Sequence, residues 1–262
     1  MRLLDKKVRK FIGIQCYVTH YNGKIDKAEN VEKLISGKSD NLRIKKEKTS
    51  FKTLFNKKYR KNSIYFSITW FFYDVAFYGI GLFTPTILII LGLTHAQSIL
   101  GSAVFSSVAI IGGVLCIITI DKWGRKPVTI LGFTGMAISL FILAYIAITT
   151  PKDAFDAGLA GVSISIMYII FELTQTWGFG TTDFVYGQEL FPTSIRATGQ
   201  GFGTSVSRIG AILGLTTFPV IISLYGLGYG LLFFAISAVI ALVLTVVFAP
   251  ETKDKSLEEL TE

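Results

Sequence analysis

Residues 184–214, FVYGQELFPTSIRATGQGFGTSVSRIGAILG, join a polar, charged stretch to an apolar segment that is rich in small residues. The first part, as far as Arg196, is too polar for lipid and too short for a domain, so it predicts a tight turn between two apolar runs. The second part predicts a membrane helix whose glycines recur at intervals of four, a spacing that lets helices pack backbone to backbone. That helix also carries a single charge, Arg208.

Six apolar runs are long enough to cross a bilayer, for which about 20 residues are needed. They cover roughly 64–91, 99–120, 128–149, 158–181, 201–223 and 227–248. The chain of 262 residues is 51% hydrophobic with a mean hydropathy of +0.54, which is typical of membrane proteins and excludes an ordinary soluble domain. We therefore predict an all-α membrane protein with a six-helix bundle over residues 62–250.

Positive charge is concentrated before the first of these runs. Residues 1–61 hold 18 of the 26 Lys and Arg but 6 of the 18 acids. A basic flank beside a span predicts a cytoplasmic segment by the positive-inside rule, which we favour over nucleic-acid binding as the other reading. With six spans, both termini are then cytoplasmic, including the tail at 251–262. We expect no cleavable signal peptide, because the first sixty residues are polar and basic.

Three ionisable side chains lie inside predicted spans, namely Asp74, Glu172 and Arg208. At about 1.5 Å per residue, all three fall near the middle of a core about 30 Å thick. Each would cost about 2.5 kcal/mol or more without compensation, so we expect a shared polar cavity in which Asp74 and Arg208 neutralise one another. Gln175 and Thr176 follow Glu172 by three and four residues and are predicted on its helix face. A simple hydrogen bond to a neighbouring helix is the alternative for Glu172.

Glycine and proline interrupt the first span at Gly79, Gly81 and Pro85. They predict a kink or a locally unwound helix, with an ordinary packing kink as the alternative. A second group of turn-forming residues, DKWGRKP at 121–127, predicts a tight cytoplasmic reverse turn between the second and third spans.

The sequence contains no pattern that indicates catalysis. Two cysteines, Cys16 and Cys116, and two histidines, His20 and His95, lie in unrelated settings and predict neither a disulfide nor a metal site. No nucleophile with its base and no phosphate-binding glycine loop is recognisable. We therefore predict that the protein is not an enzyme and needs no cofactor.

Three short motifs between the spans resemble those of the major facilitator superfamily. They are DKWGRKP at 121–127, GQELFPTSIRATG at 187–199 and PETK at 250–253, beside the family patterns D-x-x-G-R-[RK]-P, E-x-x-P-T-x-x-R-x-x-G and PETKG. The resemblance covers about 60–255 and implies the carboxyl-terminal half of the twelve-helix fold, with 1–61 in place of the loop between the halves. It also implies a cytoplasmic gate that breaks during alternating access, formed by Asp121, Gly124, Arg125, Glu189, Arg196 and Glu251.

Two stretches are similar to one branch of that superfamily, the phosphate:proton symporters. WFFYDVAFYGIGLF at 70–83 resembles the branch pattern W-F-x-x-D-x-A-F-Y-G-x-x-L, and SRIGAI at 207–212 resembles G-K-x-G-A-I. This resemblance implies a phosphate site lined by Trp70, Asp74, Tyr78 and Arg208, in which Asp74 is the protonatable group and Arg208 replaces a lysine. The chain departs from the branch at 176–180, where TWGFG replaces N-x-G-P-N.

Together these observations predict a multi-pass plasma-membrane transporter, or half of one, that takes up phosphate or another small anion with protons. The expected substrate-binding residues are Trp70, Asp74, Tyr78, Glu172, Gln175, Thr176 and Arg208. A sugar or organic metabolite porter of the same superfamily is the alternative, because those proteins share the loop motifs. An inactive split or truncated fragment is a third reading. The expected partners are a small substrate with protons, the lipid bilayer, and a missing amino-terminal half or a second copy, but no nucleic acid.

Overall fold

The computed structural model of the protein describes residues 51–90, 94–149 and 159–255, all of which belong to one compact unit. A short 3₁₀ helix at Phe51–Phe55 comes first. It is followed by α1 Arg60–Gly81, α2 Thr84–Ile90, α3 His95–Trp123, α4 Arg125–Thr149, α5 Leu159–Trp177, α6 Phe179–Glu189, α7 Arg196–Tyr225 and α8 Leu227–Phe248. These described residues contain no strand, as the sequence predicted. Most of the predicted basic segment and the end of the predicted tail lie outside them.

Four helices, α3, α4, α7 and α8, are long and apolar enough to cross a membrane. Helices α1 and α2 together also qualify if they are counted as one span that is bent by 55°. The described residues then contain up to five candidate spans. The predicted count of six spans and the cytoplasmic position of both termini stay predictions. The predicted fourth span corresponds to α5 and the beginning of α6, which are separated by Gly178.

The first span breaks where its glycines and proline predicted. α1 ends at Gly81 and α2 begins at Thr84, so the chain changes direction just before Pro85. A proline removes a backbone donor, and beside it the hydroxyl of Thr84 donates to the carbonyl oxygen of Ile80 at 3.1 Å. The break therefore lies inside the predicted span.

Helix α1 packs against both α7 and α8. α8 also packs on α4, α4 on α5, and α5 on α3. The predicted small-residue row of α7 faces α1, since methyl groups added at Gly210 and Gly214 would overlap the carbonyl oxygens of Phe71 and Val75. This close backbone approach confirms the packing role predicted for the row.

The prediction of a polar turn from Phe184 to Arg196 was wrong in its first half. Residues as far as Glu189 continue the helix α6, on which Thr182, Asp183 and Tyr186 are buried. Only the six residues from Leu190 to Ile195 connect α6 to α7. The error arose because average polarity cannot distinguish a loop from a helix whose polar side chains face the interior of a bundle.

Candidate functional site

The two opposite charges predicted to meet within the bundle do so. Nη1 of Arg208, on α7, lies 3.6 Å from Oδ2 of Asp74, on α1. Only 3% of the Asp74 side chain is exposed, against 52% of Arg208. Arg208 also donates a hydrogen bond to the hydroxyl of Tyr78, and its guanidinium carbon lies 5.1 Å from the centre of that ring. The pair therefore presents a half-exposed guanidinium in front of a buried carboxylate.

One oxygen of the Asp74 carboxylate lacks a hydrogen bond. Its Oδ2 is buried and accepts no hydrogen bond, because 3.6 Å is too long for one. The indole of Trp70 and the hydroxyl of Ser207 lie beside the same carboxylate. Trp70 is one helical turn from Asp74, and its ring is buried. The predicted residues Trp70, Asp74, Tyr78 and Arg208 thus form one group, which we call the Arg208 site.

Glu172 does not join that group, although the sequence placed all three charges in one cavity. Its carboxylate accepts a hydrogen bond from Nε2 of Gln175 at 3.1 Å, and Oε1 of Gln175 accepts one from the hydroxyl of Tyr73 at 2.6 Å. Glu172 pairs with no cation among the described residues. Tyr73 and Asp74 are consecutive and point about 100° apart around α1, so Gln175, which binds Glu172, and Arg208 contact different sides of that helix.

The side chain of Thr176 points towards α3, in a different direction from the side chain of Gln175. A methyl group added at Gly112 would lie 3.1 Å from the Thr176 Cβ atom, which places this side chain at the contact between α5 and α3. Positions three and four residues beyond Glu172 share a broad face, yet they are themselves 100° apart. Gln175 therefore faces α1 while Thr176 faces α3.

Asp183 is a buried acid that the sequence reasoning missed. Its side chain is on α6, and its carboxylate accepts a hydrogen bond from the backbone N–H of Phe184 at 2.6 Å. The Phe184 ring packs edge-on against Trp70, with 6.3 Å between ring centres, and Asp183 is close enough to interact electrostatically with Asp74 and Arg208. The available signal was the position of this acid, two residues past the predicted fourth span. That signal was not used because these residues were expected to form a polar loop.

A second charged group surrounds Arg125 at the end of the bundle that the sequence predicts to be cytoplasmic. The guanidinium donates from Nε to both carboxylate oxygens of Glu189 at 3.1 Å and from Nη2 to one of them at 2.8 Å. Nη1 donates to Asp121 at 3.0 Å. We call this arrangement the Arg125 cluster. It joins α3, α4 and α6 and contains three of the predicted gate residues, Asp121, Arg125 and Glu189.

Glu251 enters the Arg125 cluster through backbone groups. Its carboxylate accepts from the N–H groups of Arg125 and Lys126, at 3.0 and 3.1 Å, and so caps the beginning of α4. Gly124 alone separates α3 from α4, which confirms the predicted tight turn, and its φ of 94° suits glycine. A methyl group added there would lie 2.7 Å from a carboxylate oxygen of Glu251.

Arg196 is the predicted gate residue that the structure leaves outside the cluster. Its Nε donates to the carbonyl oxygen of Phe191 at 3.4 Å, while Nη2 is buried without a partner. Within the described residues Arg196 pairs with no acid. Both oxygens of Glu189 accept hydrogen bonds from Arg125 instead.

The described residues contain no group of three His, Cys, Asp or Glu side chains that could hold a metal ion. Cys116 is buried in a small apolar cluster beneath the Arg125 cluster, together with Ile120 and Val128. Trp177 and Val185 pack against that small cluster from α5 and α6.

Comparison with curated proteins finds relatives among transporters. The glucose transporter GlcP of Staphylococcus epidermidis is 31% identical over 186 residues, which are 71% of this chain and 40% of that protein. The inorganic phosphate transporter PHO84 of Saccharomyces cerevisiae is 29% identical over 212 residues, which are 74% of this chain and 35% of that protein. The chain thus spans less than half the length of these relatives.

Among solved structures, the proton:xylose symporter XylE bound to 6-bromo-6-deoxy-D-glucose matches with a TM-score of 0.67 at 22% identity. The match covers 93% of this chain and 52% of that one, and it shows that the chain has the fold of half a major facilitator protein. The sequence profile described as "Sugar (and other) transporter" matches residues 19–262. Its members are transporters and not enzymes, embedded in the membrane by several spans, with the plasma membrane as the expected location. The chain therefore belongs to the sugar (and other) transporter family of the major facilitator superfamily.

Proposed function

We propose that this chain supplies half of a secondary transporter that takes up phosphate or another small anion together with protons. The observation that carries the proposal is the pair of Arg208 and Asp74, whose guanidinium is half exposed beside Tyr78. A guanidinium can donate two parallel hydrogen bonds to a phosphate, and it keeps its charge at any physiological pH. The buried acid next to it supplies a protonatable group.

The proposed coupling follows from the competition for Arg208. A charged Asp74 attracts the guanidinium, whereas a protonated Asp74 leaves it free to bind an anion. Proton and anion then bind together, because each removes the charge that would oppose the other. The length of the Arg208–Asp74 contact, 3.6 Å, suits such an exchange because no hydrogen bond between the two has to be broken.

Alternating access requires a closure that opens and closes on each side of the site. We assign one such closure to the Arg125 cluster, in which Arg125 joins α4 to Glu189 of α6. Since the chain spans less than half of its relatives, we expect a second six-helix half to complete the cavity in front of Arg208. That half is either a separate amino-terminal part or a second copy.

Phosphate uptake by proteoliposomes containing the native protein tests the proposal. Uptake is expected to accelerate under an inward proton gradient and to be abolished by Asp74→Asn. Asp254→Asn is the matched control, because Asp254 is highly exposed and its positive φ of 59° suits asparagine. A rate of phosphate uptake that changes neither with the proton gradient nor with the Asp74→Asn substitution would contradict the proposal.

Sugar transport is the second candidate, favoured by the hydrogen-bonded group of Tyr73, Gln175 and Glu172. Neutral and acidic oxygens of this kind can bind hydroxyl groups, for which no cation is needed. If a sugar is the substrate, Gln175→Leu should abolish the uptake of labelled hexose, whereas an anion transporter should tolerate that substitution better than Asp74→Asn. Comparing both variants with both labelled substrates separates the two candidates.

A further inference from the structure

The segment just before the first span, residues 51–61, carries five cations and no acid. All five side chains are exposed, and none of them pairs with a carboxylate among the described residues. They are Lys52, Lys57, Lys58, Arg60 and Lys61. Lys58 lies over the ring of Tyr59, with 5.7 Å between its nitrogen and the ring centre. We call residues 51–61 the pre-helix segment.

Two large aromatic rings lie exposed in the same segment. Phe51 and Phe55 are 54% and 43% exposed, although they belong to a helix of the described fold. Both rings meet Phe202 of α7 edge-on, with 5.5 and 5.3 Å between the ring centres. The rings are therefore held in place and form an apolar patch beside the cations.

The segment is anchored to the bundle between these two exposed rings. Leu54 is fully buried, and its carbonyl oxygen accepts a hydrogen bond from the hydroxyl of Ser63 at 2.9 Å. Ser63 is in the first turn of α1, so the segment is fixed to the beginning of the first span. Consequently its cations and rings lie at the level where a span enters the bilayer.

We propose that the pre-helix segment is a binding site for the headgroups of anionic phospholipids. Aromatic side chains at a membrane surface insert among the glycerol and acyl groups, while neighbouring Lys and Arg pair with the phosphates. A soluble phosphate would use the cations but gain nothing from exposed phenylalanines. A lipid headgroup is the ligand that matches both halves of the surface, its charge and its apolar patch.

This site is independent of the proposed transport chemistry. The nearest of its cations, Lys61, precedes Asp74 by 13 residues, which is about 20 Å along α1. Lipid binding could therefore be present in a protein that moves no phosphate, and a transporter could work without it. The experiment accordingly measures binding and not uptake.

Thermal unfolding of the full purified chain in a neutral detergent tests the site, with phosphatidylglycerol or phosphatidylcholine added. Phosphatidylglycerol should raise the unfolding temperature and phosphatidylcholine should not. Lys57→Gln with Lys58→Gln should reduce that rise by about two fifths, since two of five cations are removed and each cation near the surface contributes similarly. The matched control is Lys122→Gln with Lys255→Gln, an exposed pair outside the segment, which should retain the full rise.

A second pair of substitutions, Phe51→Ser with Phe55→Ser, distinguishes lipid from other anions. It should reduce the rise that phosphatidylglycerol causes, measured from the variant's own unfolding temperature without lipid, because both rings also pack on Phe202 and their loss lowers that starting value. An equal rise with inorganic phosphate or with an acidic peptide would overturn the proposal in favour of a general anion site. Identical rises for the Lys57/Lys58 and Lys122/Lys255 variants would also overturn it.

Discussion

The Arg125 cluster predicts that two acids bound to the same arginine contribute very differently to closure. Glu189 and Asp121 both accept hydrogen bonds from Arg125, but 20% of the Glu189 side chain is exposed against 78% of Asp121. Both acids link separate helices, but Glu189 joins α6 to α4 over a separation of 64 residues, whereas Asp121 lies only four residues before Arg125, across the turn at Gly124. Glu189→Ala should therefore open the cluster, and Asp121→Ala should leave it nearly intact.

The expected magnitudes follow from exposure. A hydrogen bond to a charged group contributes about 1.5–3 kcal/mol, and Glu189 accepts two well-formed ones from a guanidinium that is 15% exposed. Allowing for partial screening, we expect Glu189→Ala to cost about 2–3 kcal/mol. Asp121→Ala should cost about 0.5 kcal/mol, as for an exposed pair four residues apart. At about 1.4 kcal/mol per factor of ten, the open population rises about 30- to 150-fold in the first variant and about twofold in the second.

Cys116 supplies the assay. Its thiol is fully buried beneath the Arg125 cluster, against Ile120 and Val128, so it becomes reactive only when the helices around it separate. The rate at which a maleimide labels Cys116, measured with Cys16 replaced by serine, should rise in proportion to the open population. Equal labelling rates in Glu189→Ala and Asp121→Ala would refute the reasoning, as would a wild-type rate in both.

Two further predictions concern packing and burial. Gly210→Ala should lower the free energy of unfolding by about 1–3 kcal/mol, because its methyl group would overlap the carbonyl oxygen of Phe71, whereas Gly201→Ala has open space and should raise it by about 0.5–1 kcal/mol. Similar unfolding temperatures for the two alanine variants would contradict the close approach of α1 and α7. Asp183→Asn should not lower the unfolding temperature, because an asparagine oxygen can accept the same backbone hydrogen bond and removes a buried acid that pairs with no cation in the described part of the chain. A fall well beyond that of the exposed control Asp254→Asn would show that the Asp183 charge is stabilising.

Features set by helix rise and by motif spacing could be predicted from the sequence. The depth of Asp74 and Arg208 in their spans follows from counting residues, and their 3.6 Å contact agrees with it. The Arg125–Glu189 pair depends on short motifs at the ends of helices, where few alternative partners exist. The kink near Pro85 follows from the missing backbone donor.

Features set by helix rotation and by competition between partners could not be predicted. Glu172 and Arg208 lie at similar predicted depths, yet they belong to different polar groups. The adjacent residues of α1 that those groups contact, Tyr73 and Asp74, point about 100° apart. Arg196 has the motif position of a gate residue, yet it donates to the carbonyl oxygen of Phe191, while Glu189 pairs with Arg125. Asp183 was missed because a polar residue within a bundle and one in a loop contribute the same to average hydropathy.

Helix α5 spans the break in the first membrane segment and contacts it on both sides. Before the break, the hydroxyl of Tyr73 donates to Gln175, and after it the hydroxyls of Thr84 and Tyr168 form a hydrogen bond. If α5 itself does not move, we expect a change in the bend at residues 82 and 83 to break one of these two contacts. Since Tyr73 is adjacent to Asp74, a movement that breaks the contact with Gln175 also moves the carboxylate that faces Arg208. We therefore expect the bent span to couple the group of Tyr73, Gln175 and Glu172 to the Arg208 site, although no ion pair joins them.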